Sequence, residues 1–298
     1  MHSSKNGTFL FARDYMEYHS EKFEDHSLII RKGGTIFALM PANRVDDELH
    51  SHQGLTYGGL VTTSSMTTPR MVQIFKTLVK YLHGLGFRRL HYKTVPYIYH
   101  RIPAGEDLYV LFHAGAPLTR RDVLSVIPLG RRAPVQARRR RGAAKAQKHR
   151  LVVGETGDWR NYWKLLSDRL QDRYDVQPVH SIQQIELLRG RFLENIRLFE
   201  ARLLDEVLAG VVIFESAMVA HVQYVASSAR GRDAGALDRI FEYLIEQVFR
   251  EKPFFDFGSS NEQQGRFLNI GLIEQKEGFG ARAIVHDFYT LELNDPTY

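Results

Sequence analysis

The sequence predicts an α/β protein that is built from two copies of one structural unit and has a basic segment between them. Three observations predict this: a length of 298 residues, an apolar content of 44%, and an order of elements that occurs twice. A chain of this length is comfortable for two domains of roughly 100 to 150 residues. We expect mixed, mostly antiparallel central sheets flanked by helices, with domains at 1–125 and 151–298 and a basic linker at 126–150.

The first half is predicted to contain a hairpin, a Gly-rich loop, an amphipathic helix and two further strands. In chain order these elements are Leu28 to Arg31, Ile36 to Ala42, the loop 50–59, a helix over 71–82, Arg88 to Lys93, a Pro-initiated turn at Pro96 to Arg101, and a strand at Leu108 to Phe112. The helix carries Met71, Phe75 and Leu82 at helical spacing, so that one face is apolar.

The second half repeats this order after two predicted helices, Trp159 to Leu170 and Ile182 to Phe199. The repeated elements are strands at Val207 to Phe214 and Val219 to Ala226, a loop at Ser227 to Ala234, a helix that carries Ile240 and Phe241, a strand at Phe254 to Phe257, a helix at Glu262 to Asn269, and a last strand at Ala283 to Leu293. The two halves therefore predict an internal duplication.

The positive charge of the chain is concentrated in one segment. Arg131 to Arg150 holds nine Lys or Arg residues and no acid; subtracting these nine from the 40 basic residues leaves 31, against 34 acidic ones. Its Ala-rich part, RRRRGAAKAQKH, favours a helix. The segment is either a solvated connector or a site for a phosphate-rich partner such as RNA.

Several classes of protein are excluded by residues that the sequence lacks. Without cysteine there is no disulfide, thiolate nucleophile or Cys-bound zinc. No HExxH set, P-loop lysine, G-x-S-x-G elbow or G-x-G-x-x-G occurs, which argues against the matching chemistries. His50 and His52 have no accompanying ligand set, so we predict no metal. The N-terminus does not resemble a secretory signal and no transmembrane helix is predicted, so we expect a cytoplasmic protein without membrane insertion.

Five motifs occur in an order that is characteristic of one superfamily: QYVASS at Gln223, AGALD at Ala234, FFDFGSS at Phe254, GRFLNIGL at Gly265 and QKEGFG at Gln275. The second half resembles the Gcn5-related N-acetyltransferase (GNAT) superfamily. The whole chain resembles its tandem form, the FemAB-like family. The resemblance implies two tandem GNAT-like domains and an acyltransferase activity.

The resemblance also implies a donor-binding loop before the helix that carries Ile240. Arg230, Gly231, Arg232 and Gly235 occupy this loop, where a helix N-terminus favours phosphate. Leu237 stands where the acetyltransferase pattern has Gly or Ala. The donor is therefore either an acyl-CoA, as in acetyltransferases, or an aminoacyl-tRNA, as in FemAB-like proteins.

The catalytic candidates are Lys276, Asp256 and His221. Lys276 matches the lysine of a family motif of the Phe-Lys-x-x-Phe type, and its expected role is a fixed cation; the alternative is a surface lysine. Asp256 lies in the apolar strand FFDF, and is either a base or the cap of the next turn. His221 is either a base or a structural histidine.

Residues predicted to bind substrate are His52 and Tyr57 in the first half, and His180, Gln223 and Tyr224 in the second. Strand alternation predicts His221 and Gln223 on one face and Tyr224 on the other. The expected function is transfer of an acyl or aminoacyl group to an amino group of a cell-envelope saccharide or nucleotide-linked sugar precursor. The alternatives are a CoA-dependent N-acetyltransferase for a small amine or amino sugar, and a non-catalytic RNA-binding protein that uses residues 131–150. The sequence leaves the oligomeric state open.

Overall fold

The computed structural model describes residues 3–293 and has the α/β architecture expected from the sequence. The helices are α1 (Arg13–Met16), α2 (Thr68–Gly84), α3 (Glu106–His113), α4 (Ala137–Lys148), α5 (Trp159–Tyr174), α6 (Ile182–Arg191), α7 (Ala229–Ala234), α8 (Ala236–Tyr243) and α9 (Ile270–Glu277). No helix within residues 3–293 is long and apolar enough to cross a membrane.

The strands of the described chain are numbered in the same way. They are β1 (Glu24–Asp25), β2 (Leu28–Lys32), β3 (Thr35–Met40), β4 (Asn43–Val45), β5 (Glu48–His50), β6 (Val61–Thr62), β7 (Arg89–Lys93), β8 (Leu118–Pro128), β9 (Val152–Thr156), β10 (Ile196–Leu203), β11 (Glu206–Glu215), β12 (Val219–Ser227), β13 (Phe254–Ser259), β14 (Asn261–Glu262), β15 (Phe267–Leu268) and β16 (Arg282–Glu292).

The described chain divides into two compact units. Unit 1 comprises residues 3–122, 262–267 and 285–293; unit 2 comprises residues 123–261 and 268–284. The basic segment predicted as a linker at 126–150 belongs to unit 2 and contains a packed helix. Its helix α4 is present as predicted, buries Ala143 and Ala146, and packs against α8.

Unit 2 is built on a sheet with the strand order β8-β13-β12-β11-β10-β9. The β12–β13 pair is parallel and its other pairs are antiparallel. Helix α8 covers one face because Ile240 and Phe241 lie on its apolar side, and they pack with Phe199, Val211 and Phe255. Full burial of a side chain of this size contributes about 1.5–3 kcal/mol relative to exposure.

Unit 1 contains a sheet with the strand order β1-β4-β5-β7-β16, in which the β5–β7 pair is parallel. A second sheet has the order β2-β3-β6. The apolar face of α2 carries Phe75 and Leu82, which are fully buried with Met40 and Leu90. Each unit therefore contains a parallel strand pair whose connection includes a buried amphipathic helix, α2 or α8.

The strongest periodic patterns predicted their elements correctly. The hairpins β2–β3 and β11–β12, the helices α2, α5 and α8, and the strands β7, β13 and β16 are confirmed. Apart from the short apolar strand β13, these segments are long or periodic, and such patterns leave little ambiguity between helix and strand.

Two predicted elements have the wrong type. Leu108 to Phe112 is not a strand but part of α3, which has Glu106 and Asp107 in its first turn and buries Val110 and Leu111. The helix predicted to run to Phe199 ends at Arg191, and the chain continues as β10 between β9 and β11. A short apolar run fits either state, and tertiary packing decides between them.

Two further predictions are corrected near the candidate site. The predicted loop Ser227 to Ala234 contains α7, because Ser228 caps it by accepting a hydrogen bond from the Gly231 N–H. Residues 262–269 do not form the predicted helix. The helix of this region is α9, which begins at Ile270. Asn269 is its N-cap and accepts a hydrogen bond from the Leu272 N–H at 3.1 Å.

Candidate active site

The parallel pairing of β12 with β13 ends at the candidate site. Within the described residues, this ladder consists of Val219 with Phe254, Ala220 with Phe255, and His221 with Asp256. Beyond that last pair β12 continues to Ser227 and β13 to Ser259, but the two strands no longer pair with each other. His221 and Asp256 therefore lie where the two strands separate.

His221 and Asp256 form a hydrogen-bonded pair. The Nδ1 atom of His221 lies 2.8 Å from Oδ2 of Asp256, whose side chain is 1% exposed. The other carboxylate oxygen accepts the Gly258 N–H at 2.7 Å. A buried carboxylate needs such donors, and it fixes the imidazole proton on Nδ1. Asp256 thus caps the turn at Gly258, which is one of its two predicted roles, while its other oxygen bonds His221.

Lys276 lies beside this pair and is buried, not on the surface. Its ammonium donates hydrogen bonds to the carbonyl oxygens of Gly258 at 3.0 Å and Ser259 at 2.6 Å. Burial lowers the pKa of Lys276 to about 8, although the negative charge of Asp256 opposes this shift. The three catalytic candidates span 55 positions of the sequence. Their side chains nevertheless lie close together near one end of β13.

A β-bulge changes the predicted faces of β12. Tyr224 pairs with Val212 and His221 pairs with Phe214, while Gln223 is the extra residue between them. Since Val212 and Phe214 point to the same face of β11, His221 and Tyr224 also share a face. The prediction that Tyr224 faces away from His221 is therefore wrong.

Tyr224 and His180 contact each other on that face. The Nδ1 atom of His180 lies 2.5 Å from the Tyr224 hydroxyl, and the ring of Trp163 packs edge-on against Tyr224. Burial raises the pKa of Tyr224 to about 12, so the phenol stays protonated at neutral pH. His180 itself is 3% exposed. These two predicted substrate-binding residues form a buried hydrogen-bonded pair.

The predicted donor loop has a structural partner for each arginine. Arg230 forms an ion pair with Glu206, and Arg232 donates to the Ser227 carbonyl oxygen at 3.0 Å. The segment forms helix α7, in which the Gly231 N–H donates a hydrogen bond to the Ser228 hydroxyl.

Both glycines of that loop are explained by close backbone packing. A Cβ on Gly231 would lie 2.2 Å from the carbonyl oxygen of Leu208, and one on Gly235 would lie 2.3 Å from that of Gly142 in α4. Gly235 also has a φ of +76°, which favours glycine.

The two candidates of unit 1 differ in their surroundings. His52 is 4% exposed, has a φ of +61°, and lines a cavity of about 480 Å³ within unit 1. Burial lowers the pKa of His52 to about 4. Tyr57 is buried and donates its hydroxyl proton to Thr8 at 2.8 Å. Only His52 of this pair lines the cavity.

Sequence reasoning missed two residues at the end of β13. Gly258 joins the Asp256 carboxylate to the Lys276 ammonium through its own N–H and carbonyl. The Ser260 hydroxyl is buried and has no hydrogen-bond partner among residues 3–293. The motif FFDFGSS contained the signal, since a Gly and two Ser residues directly follow a buried carboxylate.

The chain was compared with known families and structures. Residues 130–264 match the family described as "Acetyltransferase (GNAT) domain". A search of curated proteins finds no significant match.

Solved structures are similar to this chain over nearly its whole length. FemX is 12% identical with a TM-score of 0.69, over 99% of this chain and 95% of its own. The L-PGS structure from Bacillus licheniformis is 12% identical with a TM-score of 0.63, over 95% of this chain and 93% of its own.

A third similar structure is the C-terminal domain (DUF2156) of a putative lysylphosphatidylglycerol synthetase from Agrobacterium fabrum. It is 12% identical with a TM-score of 0.60, over 91% of this chain and 85% of its own. At such identity these likenesses concern the fold. Residues 130–264 are therefore similar to the GNAT acetyltransferase domain, and the chain has the fold of FemX that its motifs predict.

Proposed function

We propose that this protein transfers an acyl or aminoacyl group to an amino group of a cell-envelope saccharide or nucleotide-linked sugar precursor. The observation that carries the proposal is the His221–Asp256 pair at the point where β12 and β13 separate, with Lys276 beside it. The GNAT domain supports acyl transfer in general. The fold likeness to FemX and to a putative lysylphosphatidylglycerol synthetase supports an aminoacyl group and an envelope acceptor.

The reaction requires one proton acceptor. The amine nitrogen of the acceptor attacks the acyl carbonyl carbon, a C–N bond forms, and the bond from that carbon to the carrier oxygen or sulfur breaks. With its Nδ1 proton directed at Asp256, His221 has a lone pair on Nε2. Nε2 takes the proton of the amine and returns it to the departing carrier atom.

Asp256 and Lys276 act on this step in different ways. Asp256 is a positioning residue, because it fixes the tautomer of His221 and stabilises the imidazolium that forms. Lys276 holds the Gly258 and Ser259 carbonyls and supplies positive charge near the developing oxyanion. Two of the three ammonium protons bond these carbonyls, and the third points to the oxyanion in this proposal.

The proposal also specifies the acyl donor. The GNAT fold implies an acyl-CoA donor in general. In this chain the α4 backbone packs directly against Gly235, and Gly231 packs against Leu208. This close packing around both glycines supports a donor other than CoA.

An aminoacyl-tRNA is the donor in this proposal. Helix α4 has no acidic residue and exposes five basic side chains, which are Arg138, Arg140, Arg141, Lys145 and Lys148. Such a surface fits a phosphate backbone. The same surface also supports the second candidate function, a protein that binds RNA without catalysis.

A transfer assay with two donors tests the proposal. The purified protein is given an amino-sugar acceptor together with either acetyl-CoA or a mixture of aminoacylated tRNAs, and the N-acylated product is measured by mass spectrometry. We expect product from the tRNA donor and loss of product in His221→Gln, since the variant lacks the base. His149→Gln, an exposed residue at the end of α4, is the matched control and retains transfer.

The outcomes separate the alternatives. Product from acetyl-CoA alone would replace the tRNA donor with the CoA-dependent alternative. Full transfer by His221→Gln would reject the assigned base. Steep salt-dependent RNA binding that is lost in an Arg138→Ala/Arg140→Ala/Arg141→Ala variant, with no transfer from either donor, would favour the RNA-binding protein.

A further inference from the structure

Three potential metal ligands converge on one face of the unit 1 sheet. Strands β5 and β7 are parallel, and their register sets Glu48 opposite Arg89 and His50 opposite His91. Since Glu48 and His50 are two residues apart on β5, their side chains share a face with His91. Among residues 3–293, this is the group of three whose ligand atoms all lie within 4.8 Å of one another.

The distances between the ligand atoms suit a small divalent ion. The Oε2 atom of Glu48 lies 2.8 Å from Nε2 of His91 and 3.6 Å from Nε2 of His50. Bonds of about 2.0–2.1 Å at tetrahedral angles separate neighbouring ligand atoms by about 3.4 Å. The observed distances lie on either side of this value. The two imidazole rings are stacked with an interplanar angle of 10°, so each must tilt to direct Nε2 at a shared ion.

The surrounding residues already orient two of the three ligands. Thr290 lies with its hydroxyl oxygen 3.1 Å from Nδ1 of His91, which directs Nε2 towards Glu48. Arg89 forms an ion pair with Oε1 of Glu48 and leaves Oε2 facing the histidines. Partners of this kind fix ligand orientation in metal sites.

We propose that Glu48, His50 and His91 bind one divalent transition-metal ion of the zinc type. Two histidines and one carboxylate are a known zinc ligand set that leaves a fourth position open. His50 and His91 line the 480 Å³ cavity of unit 1. A water molecule or an oxygen atom of a ligand in this cavity completes the coordination. Neither the proposed transfer chemistry nor the GNAT match assigns this site.

Metal titration tests the inference without an activity assay. The full-length protein, freed of any affinity tag and treated with chelator, is titrated with Zn²⁺ by calorimetry and with Co²⁺ by visible absorption. We expect one ion per chain, with a Kd of about 1 µM or tighter. The Co²⁺ complex will show the strong d–d bands of a tetrahedral site.

Variants identify the ligands. We expect Glu48→Gln, His50→Ala and His91→Ala each to weaken binding at least about 10-fold, and Thr290→Val to weaken it by about 10-fold through the orientation of His91. His149→Ala removes an exposed histidine and leaves the titration unchanged. Glu48→Gln and Thr290→Val keep the side-chain volume, so they remain informative if a histidine variant does not fold.

The inference is overturned if the wild-type protein shows no one-to-one binding. It is also overturned if the Glu48→Gln and Thr290→Val variants, folded by circular dichroism, bind Co²⁺ as tightly as the wild type. In that case the cluster is a hydrogen-bonded pair with a stacked imidazole.

Discussion

The parallel strand pairs of the two units have the same construction but carry different side chains. In unit 1, β5 and β7 pair over three positions and end at His50 and His91. In unit 2, β12 and β13 also pair over three positions and end at His221 and Asp256. In both units the last paired residue of the first strand is a histidine, and the difference is its partner across the ladder.

That difference changes what the histidine is able to do. In unit 2 a carboxylate that is 1% exposed bonds one imidazole and fixes its tautomer, which suits a base. In unit 1 the partner is a second imidazole, and the carboxylate of Glu48, which is 21% exposed, approaches the Nε2 atoms of both rings. Two imidazoles and one carboxylate suit a metal ion. In the two proposals, the same strand arrangement therefore carries two different sets of side chains.

The largest effect is expected from removing the charge of Asp256. Asp256→Asn keeps the side-chain volume but not the acceptor that fixes His221, so we expect kcat to fall by about 10²–10⁴. The measurement is kcat in the transfer assay. The corresponding unit 1 variant, His91→Asn, keeps the wild-type kcat. If His91→Asn lowers kcat and Asp256→Asn does not, the roles of the two ladders are reversed.

Each unit also contains a buried lysine close to its ladder, which gives a prediction for stability. Burial lowers the pKa of Lys93 and of Lys276 to about 8. Between about pH 8 and pH 10.4 the unfolded chain retains a proton that the folded protein has lost, so the free energy of unfolding rises with pH. Each lysine contributes a rise of about 3 kcal/mol.

Urea unfolding between pH 7 and pH 9.5 measures this rise. We expect Lys276→Met and Lys93→Met each to remove a comparable share of it, whereas Lys145→Met, at an exposed position of α4, removes none. If Lys276→Met or Lys93→Met leaves the slope of the unfolding free energy against pH as it is in the wild type, burial does not lower the pKa of that lysine.

Two glycines with similar backbone angles test how closely α4 packs on its neighbour Gly235. Gly235 in unit 2 has a φ of +76° and lies against the Gly142 carbonyl, whereas Gly86 in unit 1 has a φ of +84° and open space around it. We expect Gly235→Ala to cost about 2 kcal/mol or more, and Gly86→Ala to cost about 1 kcal/mol for the backbone angle alone. Calorimetric unfolding measures both, and equal costs would mean that α4 does not pack closely on Gly235.

The smallest effect is expected at the predicted donor loop. The Arg230–Glu206 pair is 59% and 49% exposed, so solvent screens it, and Arg230→Ala should change stability by less than about 1 kcal/mol. We also expect the KM for the donor to remain within about twofold, because this arginine faces Glu206. A tenfold rise in KM would restore Arg230 as a donor contact.

Sequence periodicity determined the main elements around both ladders. Helix α2 repeats apolar residues over about three turns, and α8 places Ile240 and Phe241 on one face, so each pattern predicts an amphipathic helix. The motif FFDFGSS also identified Asp256 as a costly carboxylate in an apolar strand. These signals are local, and local patterns are readable in a sequence.

Short apolar runs and the contacts between strands were decided by tertiary structure. The run around Val110 and Leu111 fits a helix or a strand, and burial of both residues against α2 and β7 selects the helix. The bulge at Gln223 turns Tyr224 to the face of His221, against simple alternation.

Tertiary structure also decided which residues meet at the two sites. His221 and Asp256 are 35 positions apart, and only the register of a parallel pair sets them side by side. His50 and His91 meet for the same reason, although the spacing of His50 and His52 predicted no metal site. The sequence by itself identified His221, Asp256 and Lys276 as candidates, because residue type and periodicity are local properties. Tertiary structure decided which of them meet, because strand register depends on how distant segments pack.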